Sequence, residues 1–149
     1  MKTIGRHLIA EYYGCTGSAL NDVDQLRAYM IHAAKTVGAT VLGETFHSFS
    51  PQGASGTVVI AESHLSIHTW PERGYVAVDI YTCGGLDPRP GFEFLAHVLE
   101  AKSYRVQEIL RGLPEDLDHH GMLLPEDVSV ITKLPEMQPI AASGVAQGV

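Results

Sequence analysis

The chain has 149 residues, of which 45% are hydrophobic and 18% are charged, a composition ordinary for one soluble globular domain. Its net charge of −7 argues against a nucleic-acid partner, because phosphate binding requires a clustered basic surface. No apolar run approaches the roughly 20 residues that a membrane span needs, and two cysteines are too few for a disulfide framework. We therefore expect a cytoplasmic protein with no membrane partner.

The first third of the chain predicts a strand followed by a helix. Alternating apolar residues over 7–13 predict the strand, which Gly14 ends. Asn21 or Asp22 is placed to cap a helix that runs to about Val37, because apolar residues recur at spacings of three and four in between.

The middle of the chain predicts more strands and one further helix. We predict strands over residues 40–49, 56–62, 75–82 and 104–110, and a helix over 93–103. The resulting order, β-α-β-β-β-α-β, predicts an α+β fold. It would be a two-layer α/β sandwich, with a mostly antiparallel sheet and helices on one face.

The pattern fades after Gly112. We expect residues 1–112 to form the functional domain and residues 113–149 to be a C-terminal extension. Its end, 140–149, consists of small or uncharged residues and is predicted to be disordered.

Chemistry-bearing residues crowd into the segment AESHLSIHTWPE, residues 61–72. A β-branched run leads into it, and Cys83 follows twenty residues after Ser63. Serine, histidine, cysteine and carboxylate groups beside one strand end are typical of covalent chemistry rather than packing.

Three chemistries fit these residue types. A hydrolase nucleophile on a G-x-S-x-G elbow is not supported, because no glycine brackets Ser63. A metal site is also disfavoured, since His64 and His68 lie in an extended segment without a third ligand, and we expect no metal. The third chemistry is internal: the Ser63 hydroxyl attacks the preceding Glu62 carbonyl and converts the amide into an ester. A base such as His68 then eliminates the ester, and the product hydrolyses to a pyruvoyl group.

Four segments carry a resemblance to a known family. The segments are GRHLIAEYYGC (5–15), TFHSFSPQGASG (45–56), AESHLSIHTWPE (61–72) and VDIYTCG (78–84). Together they resemble the bacterial S-adenosylmethionine decarboxylases, pyruvoyl enzymes of spermidine synthesis. The resemblance covers roughly residues 3–112.

The resemblance implies a self-processing proenzyme. Cleavage between Glu62 and Ser63 would give a β chain, 1–62, and an α chain, 63–149, that starts with the pyruvoyl cofactor made from Ser63. That group would form a Schiff base with S-adenosylmethionine and release CO2. The resemblance assigns Ser55 and His68 to processing and Cys83 to protonation of the substrate.

The resemblance also implies how substrate and subunits are arranged. Phe49 would stack on the adenine, Glu72 would hold the ribose hydroxyls, and Leu65 would be a further substrate contact. The family dimer packs two sheets face to face and shares its active sites. Ser63 and Cys83 of one protomer would therefore meet the neighbour's Phe49, Ser55, His68 and Glu72.

Two alternatives remain open. A pyruvoyl-dependent ornithine or arginine decarboxylase would use the same chemistry, although Phe49 and Glu72 suit a nucleoside better. An unprocessed, non-catalytic subunit is the other alternative. Such a chain would typically have lost Ser63, His68 or Cys83, and this one keeps all three.

Overall fold

The computed structural model describes residues 4–112 and 138–139. Its two α-helices are α1, Val23–Thr36, and α2, Arg89–Val98. Short 3-10 turns span Ser18–Asn21 and Pro71–Arg73. The strands are β1 Gly5–Tyr13, β2 Thr40–Ser48, β3 Ala54–Ala61, β4 Ser63–Trp70, β5 Tyr75–Cys83, β6 Ser103–Arg111 and β7 Gln138–Pro139. The predicted disorder of 140–149 and most of the predicted extension lie outside the described residues.

The strands form one sheet in the order β2-β3-β4-β5-β1-β6-β7, and every neighbouring pair is antiparallel. Both helices lie on one face of it, as buried residues from the helices and strands form a single core. The predicted α+β sandwich is therefore confirmed.

The predicted element order lacks two of the described strands, β4 over Ser63–Trp70 and the two-residue β7. Ile60 pairs with Ser63, so the hairpin loop between these paired residues is Ala61-Glu62. Two-residue hairpin loops are usually marked by Asn-Gly, Asp-Gly or another glycine pair, and Ala-Glu gives no such signal. The missing turn signal concealed the boundary between the two strands.

The helices differ from prediction mainly at α2. Helix α1 starts as predicted, with the Asp22 carboxylate accepting hydrogen bonds from the backbone N–H groups of Asp24 and Gln25. Helix α2 begins at Arg89, inside the predicted loop, because a proline is tolerated in the first helical turn, where its missing N–H has no partner to lose. It also ends earlier than predicted, at Val98.

The helix-facing side of the sheet forms the core, and the opposite side is open. Leu65, Ile67 and Thr69 of β4 are buried, whereas the alternate residue His68 is exposed. No helix among the described residues is long and apolar enough to cross a membrane. The open face presents the side chains that alternate with the buried ones, and it carries Ser55, His68 and Cys83 of the predicted site.

Candidate active site

The predicted site residues divide between the two ends of β4. Ser63 is the first residue of the strand, and His68 lies five residues further on. A strand rises about 3.4 Å per residue, which separates these two residues by roughly 17 Å. Within one chain they do not meet.

A pocket of about 390 Å³ marks the His68 end of β4. Four residues predicted from the sequence line it together: Phe49, Ser55, His68 and Glu72. Five other residues complete the lining: Gln52, Gly53, Ala54, Thr69 and Trp70. The structure thus brings an aromatic face, a hydroxyl, an imidazole and a carboxylate into one cavity.

Ser55 and His68 form a hydrogen-bonded pair at the floor of this pocket. They lie opposite each other on β3 and β4, and Ser55 Oγ is 2.7 Å from His68 Nδ1. The pair also lines a neighbouring pocket of about 190 Å³, which includes His47. Gly56 is needed beside the pair, because a Cβ there would lie 2.0 Å from the Phe46 ring.

The loop that carries Phe49 is held by neutral hydrogen bonds. Gly53 N donates to Asn21 Oδ1 at 2.8 Å, and Phe49 N donates to Gly53 O at 2.8 Å. Buried Thr69 accepts from Ala54 N at 2.9 Å and donates to Leu20 O at 2.7 Å. These contacts hold the backbone of the loop in place, while half of the surface of the Phe49 residue stays exposed.

Three pocket features were not predicted from the sequence. Gln52 Nε2 donates to Glu72 Oε2 at 3.1 Å. Trp70 lines the pocket and stacks on Tyr75 with ring centroids 4.9 Å apart. Asn21, recognised only as a possible helix cap, instead anchors the Phe49 loop. Trp70 could have been found from its place inside the segment 61–72, whereas the contacts of Gln52 and Asn21 have no local sequence signal.

At the other end of β4, Ser63 directly follows the hairpin loop. Its Oγ is buried and has no hydrogen-bond partner within the described part of the chain. Leaving a buried hydroxyl unpaired costs about 1–3 kcal/mol. The free lone pairs of this oxygen, next to the exposed Glu62, are what an attack on the preceding carbonyl requires.

Cys83 lies at the same edge of the sheet as Ser63. It is the last residue of β5, and the pairing of His64 with Tyr81 brings the start of β4 beside the end of β5. Ser63 lies on the same face of β4 as the buried Leu65 and Ile67, whereas Cys83 lies on the opposite face of the sheet and is partly exposed. Ser63 and Cys83 thus share an edge of the sheet, and in the uncleaved chain their side chains point to opposite faces.

Charged groups hold the loop that follows Cys83. Arg6 contacts Asp87 at 3.3 Å and also contacts Glu108, and Asp87 binds Arg89. The hydrogen bond from Arg89, with a smaller contribution from Arg6, lowers the pKa of Asp87 to about 2 despite partial burial. Thr82 Oγ1 donates to Leu86 O at 3.0 Å in the same loop.

Two further residues are placed away from the pocket. The Leu65 side chain is fully buried toward the helices, so only its main chain could contact a substrate on the open face. The structure gives no support to a side-chain contact from Leu65. Cys15 is also buried, which raises the pKa of its thiol to about 11 and suits a structural residue.

This sheet, hairpin and pocket define an α+β sandwich with a pocket and a buried, unpaired serine hydroxyl at opposite ends of one strand. The sequence profile of the S-adenosylmethionine decarboxylase family matches residues 6–112. The chain belongs to this enzyme family, which confirms the predicted resemblance.

Individual relatives agree with this assignment. The chain is 48% identical over 116 residues to the S-adenosylmethionine decarboxylase proenzyme of Caldanaerobacter subterraneus, covering 77% of this chain and 94% of that protein. It is 49% identical over 126 residues to the proenzyme of Thermotoga maritima, covering 80% and 97%. The crystal structure of adenosylmethionine decarboxylase from Aquifex aeolicus is 35% identical, with a TM-score of 0.70, covering 76% of this chain and 94% of that one.

Proposed function

We propose that this chain is a cytoplasmic, self-processing enzyme that decarboxylates S-adenosylmethionine for spermidine biosynthesis. The products would be CO2 and decarboxylated S-adenosylmethionine, an aminopropyl donor. The observation that carries the proposal is the pocket that gathers Phe49, Glu72 and the Ser55–His68 pair. The names of the two bacterial relatives, both S-adenosylmethionine decarboxylase proenzymes, support the same substrate and a proenzyme.

Processing would begin at the hairpin loop between β3 and β4. Ser63 Oγ attacks the Glu62 carbonyl carbon, the C–N bond breaks, and an ester with a free Ser63 amine results. His68 of a second copy of the chain then removes the Ser63 α-proton, and the Glu62 carboxylate leaves as the new C-terminus of chain 1–62. The remaining enamine at the start of chain 63–149 takes up water and releases ammonia, which leaves a pyruvoyl group.

The unpaired, buried Ser63 hydroxyl fits this group, because it is not engaged in any competing hydrogen bond of the described residues. The pyruvoyl ketone would bind the substrate amine and accept the electrons released with CO2. Cys83 would then return a proton to the substrate α-carbon. A partly exposed thiol at the same edge of the sheet as residue 63 supports this role.

The pocket favours a nucleoside over a simple basic amino acid. Phe49 offers a ring face for adenine, and aromatic faces also attract the sulfonium cation. The Glu72 carboxylate is suited to a ribose diol, because its oxygens can accept two hydrogen bonds at once. Ornithine and arginine have neither an aromatic base nor a diol to occupy these groups.

The separation of roughly 17 Å along β4 supports an active site shared between two copies of the chain. If open sheet faces pack together in a homodimer, the Ser63 end of one copy meets the His68 end of the other. The open face has the aromatic content that interfaces favour: Trp70 stacks on Tyr75 at 4.9 Å, and Tyr75 stacks on Tyr13 at 5.5 Å. Each protomer would then contribute half of two sites.

A side-by-side assay tests the proposal. CO2 release is measured from S-adenosylmethionine, ornithine and arginine, and the purified protein is analysed by intact mass. We expect turnover of S-adenosylmethionine only, with two fragments whose masses correspond to 1–62 and to 63–149 carrying pyruvoyl. Release of CO2 from a basic amino acid instead, or an uncut chain with full activity, would contradict the proposal.

A further inference from the structure

A hydrogen bond joins Gln52 to Glu72, the residue to which the proposed function assigns the ribose diol. Its amide Nε2 donates to Glu72 Oε2 at 3.1 Å, across 20 positions of sequence. Both side chains line the same cavity as Phe49. Both residues are also exposed, so solvent competes with this contact unless the backbone holds the two partners in place.

The backbone does hold both partners. Glu72 lies on the 3-10 turn Pro71–Arg73, where the proline ring restricts the entry and Gly74 closes the turn with φ +55°. Gln52 precedes Gly53, whose φ is +95° and whose missing Cβ would lie 2.9 Å from Thr69 O. Glycine is required there, and its N–H is bound by Asn21. The loop therefore delivers the Gln52 amide to one oxygen of Glu72.

We propose that Gln52 is a positioning residue that fixes the Glu72 carboxylate and so determines selectivity for a ribose diol. This inference rests on the proposed function, which gives Glu72 the diol. An ionised carboxylate has about four acceptor sites, and Gln52 occupies one on Oε2. The sites left free are enough for two ribose hydroxyls. Fixing the side chain before the ligand arrives removes an ordering cost that a free glutamate would incur on binding.

The test measures nucleoside binding and does not depend on turnover. Trp70 is the only tryptophan of the chain, and it lines this pocket, so its fluorescence reports occupancy directly. Processed protein is titrated with 5′-methylthioadenosine, which keeps the adenine, the diol and the sulfur, and with its 2′-deoxy analogue. The ratio of the two Kd values is the quantity compared between variants.

We expect the wild type to prefer the ribose compound by about 10–100-fold, because the lost hydrogen bond goes to a charged group. Gln52→Ala should reduce that ratio by about 3–10-fold, chiefly by weakening the ribose compound. Gln52→Glu should reduce it further, because a second carboxylate repels Glu72. Gln25→Ala is the matched control. It removes an amide bonded to Tyr29 at 3.0 Å on α1, outside this pocket, and should leave the ratio unchanged.

A merely structural role for Gln52 would weaken both compounds equally and leave the ratio unchanged, which would overturn the inference. An unchanged affinity for both compounds would overturn it as well. Failure of the proposed function has a different signature. It would appear as no CO2 release from S-adenosylmethionine, whatever the nucleoside ratio shows.

Discussion

The two ends of strand β4 are built in contrasting ways. At the His68 end, Ser55, His68, Gln52 and Glu72 are already hydrogen bonded to one another in pairs around a formed pocket. At the Ser63 end, the serine hydroxyl is buried without a partner in the described chain, next to a tight hairpin loop.

Under the proposed function, this contrast separates substrate binding at the His68 end from reactivity at the Ser63 end. A binding surface gains affinity when its groups are fixed before the ligand arrives, whereas a nucleophile is useful only when its lone pairs are not occupied. Because the fixed binding groups and the unpaired hydroxyl lie at opposite ends of one strand, neither interferes with the other within a single chain. Under the proposed face-to-face dimer, the two kinds of end are brought together only by assembly.

The largest expected effects distinguish the roles proposed for Ser63 and Cys83. Ser63→Ala should abolish both processing and decarboxylation, because the attacking oxygen is lost. Cys83→Ala should still be processed, yet its turnover should fall by about 10²–10⁴-fold, the usual contribution of a positioned acid. Denaturing gels and CO2 release on the same samples measure the two properties. Full decarboxylation by processed Cys83→Ala would remove Cys83 from the mechanism.

A mixing experiment tests whether the two ends work together across protomers. Cys83→Ala and Glu72→Gln are each expected to be strongly impaired. Random reassociation should restore about a quarter of wild-type activity, because half of the dimers are mixed and each has one intact site.

The control for this experiment mixes two variants from the same end, Phe49→Ala and Glu72→Gln. Every shared site in such a mixture contains one of the two lesions, so no recovery is expected. Recovery in the control, or none in the first mixture, would contradict a site shared between protomers.

The sheet, the helices and the pocket residues differ in how much of each could be predicted from the sequence. The β-branched and alternating segments identified five of the seven described strands. Strand β4 was missed because it follows β3 without a glycine turn, and β7 because a two-residue strand is too short to show alternation. Helix α1 was placed correctly because Asp22 is a strong capping residue at the start of a regular apolar stripe. Helix α2 was placed too late because a proline usually marks a loop and here lies in the first turn.

For the site, the sequence segments gave residue identities but not their geometry. The convergence of Phe49, Ser55, His68 and Glu72 in one pocket agrees with what the resemblance implied. The contacts of Gln52 and Asn21 depend on how two loops approach each other, which no local pattern encodes. The inward direction of the Leu65 side chain follows from strand alternation, a pattern that becomes informative only once β4 is recognised as a strand.

The smallest expected effect is the change in stability of the Cys83 end, compared with the pocket end, at acid pH. Arg89, and to a lesser degree Arg6, lowers the pKa of Asp87 from 3.8 to about 2 at the Cys83 end. A depressed carboxyl pKa adds stability above the unfolded value, and this contribution is lost as the pH falls from about 4 through 2. The Asp87 side chain is 37% exposed, so screening limits the contribution to about 0.2–1 kcal/mol.

The free energies of unfolding of the wild type, Asp87→Asn and Asn21→Ala are measured in urea at pH 5 and pH 2.5. Asp87→Asn should be less stable than the wild type at pH 5, and the gap should narrow at pH 2.5. Asn21→Ala removes a neutral hydrogen bond to Gly53 at the other end, and its loss of about 0.5–1.5 kcal/mol should be the same at both pH values. A gap for Asp87→Asn that stays constant would mean that the loop after Cys83 does not depend on the ionised pair. Lowering the pH would then not destabilise the Cys83 end selectively relative to the pocket end.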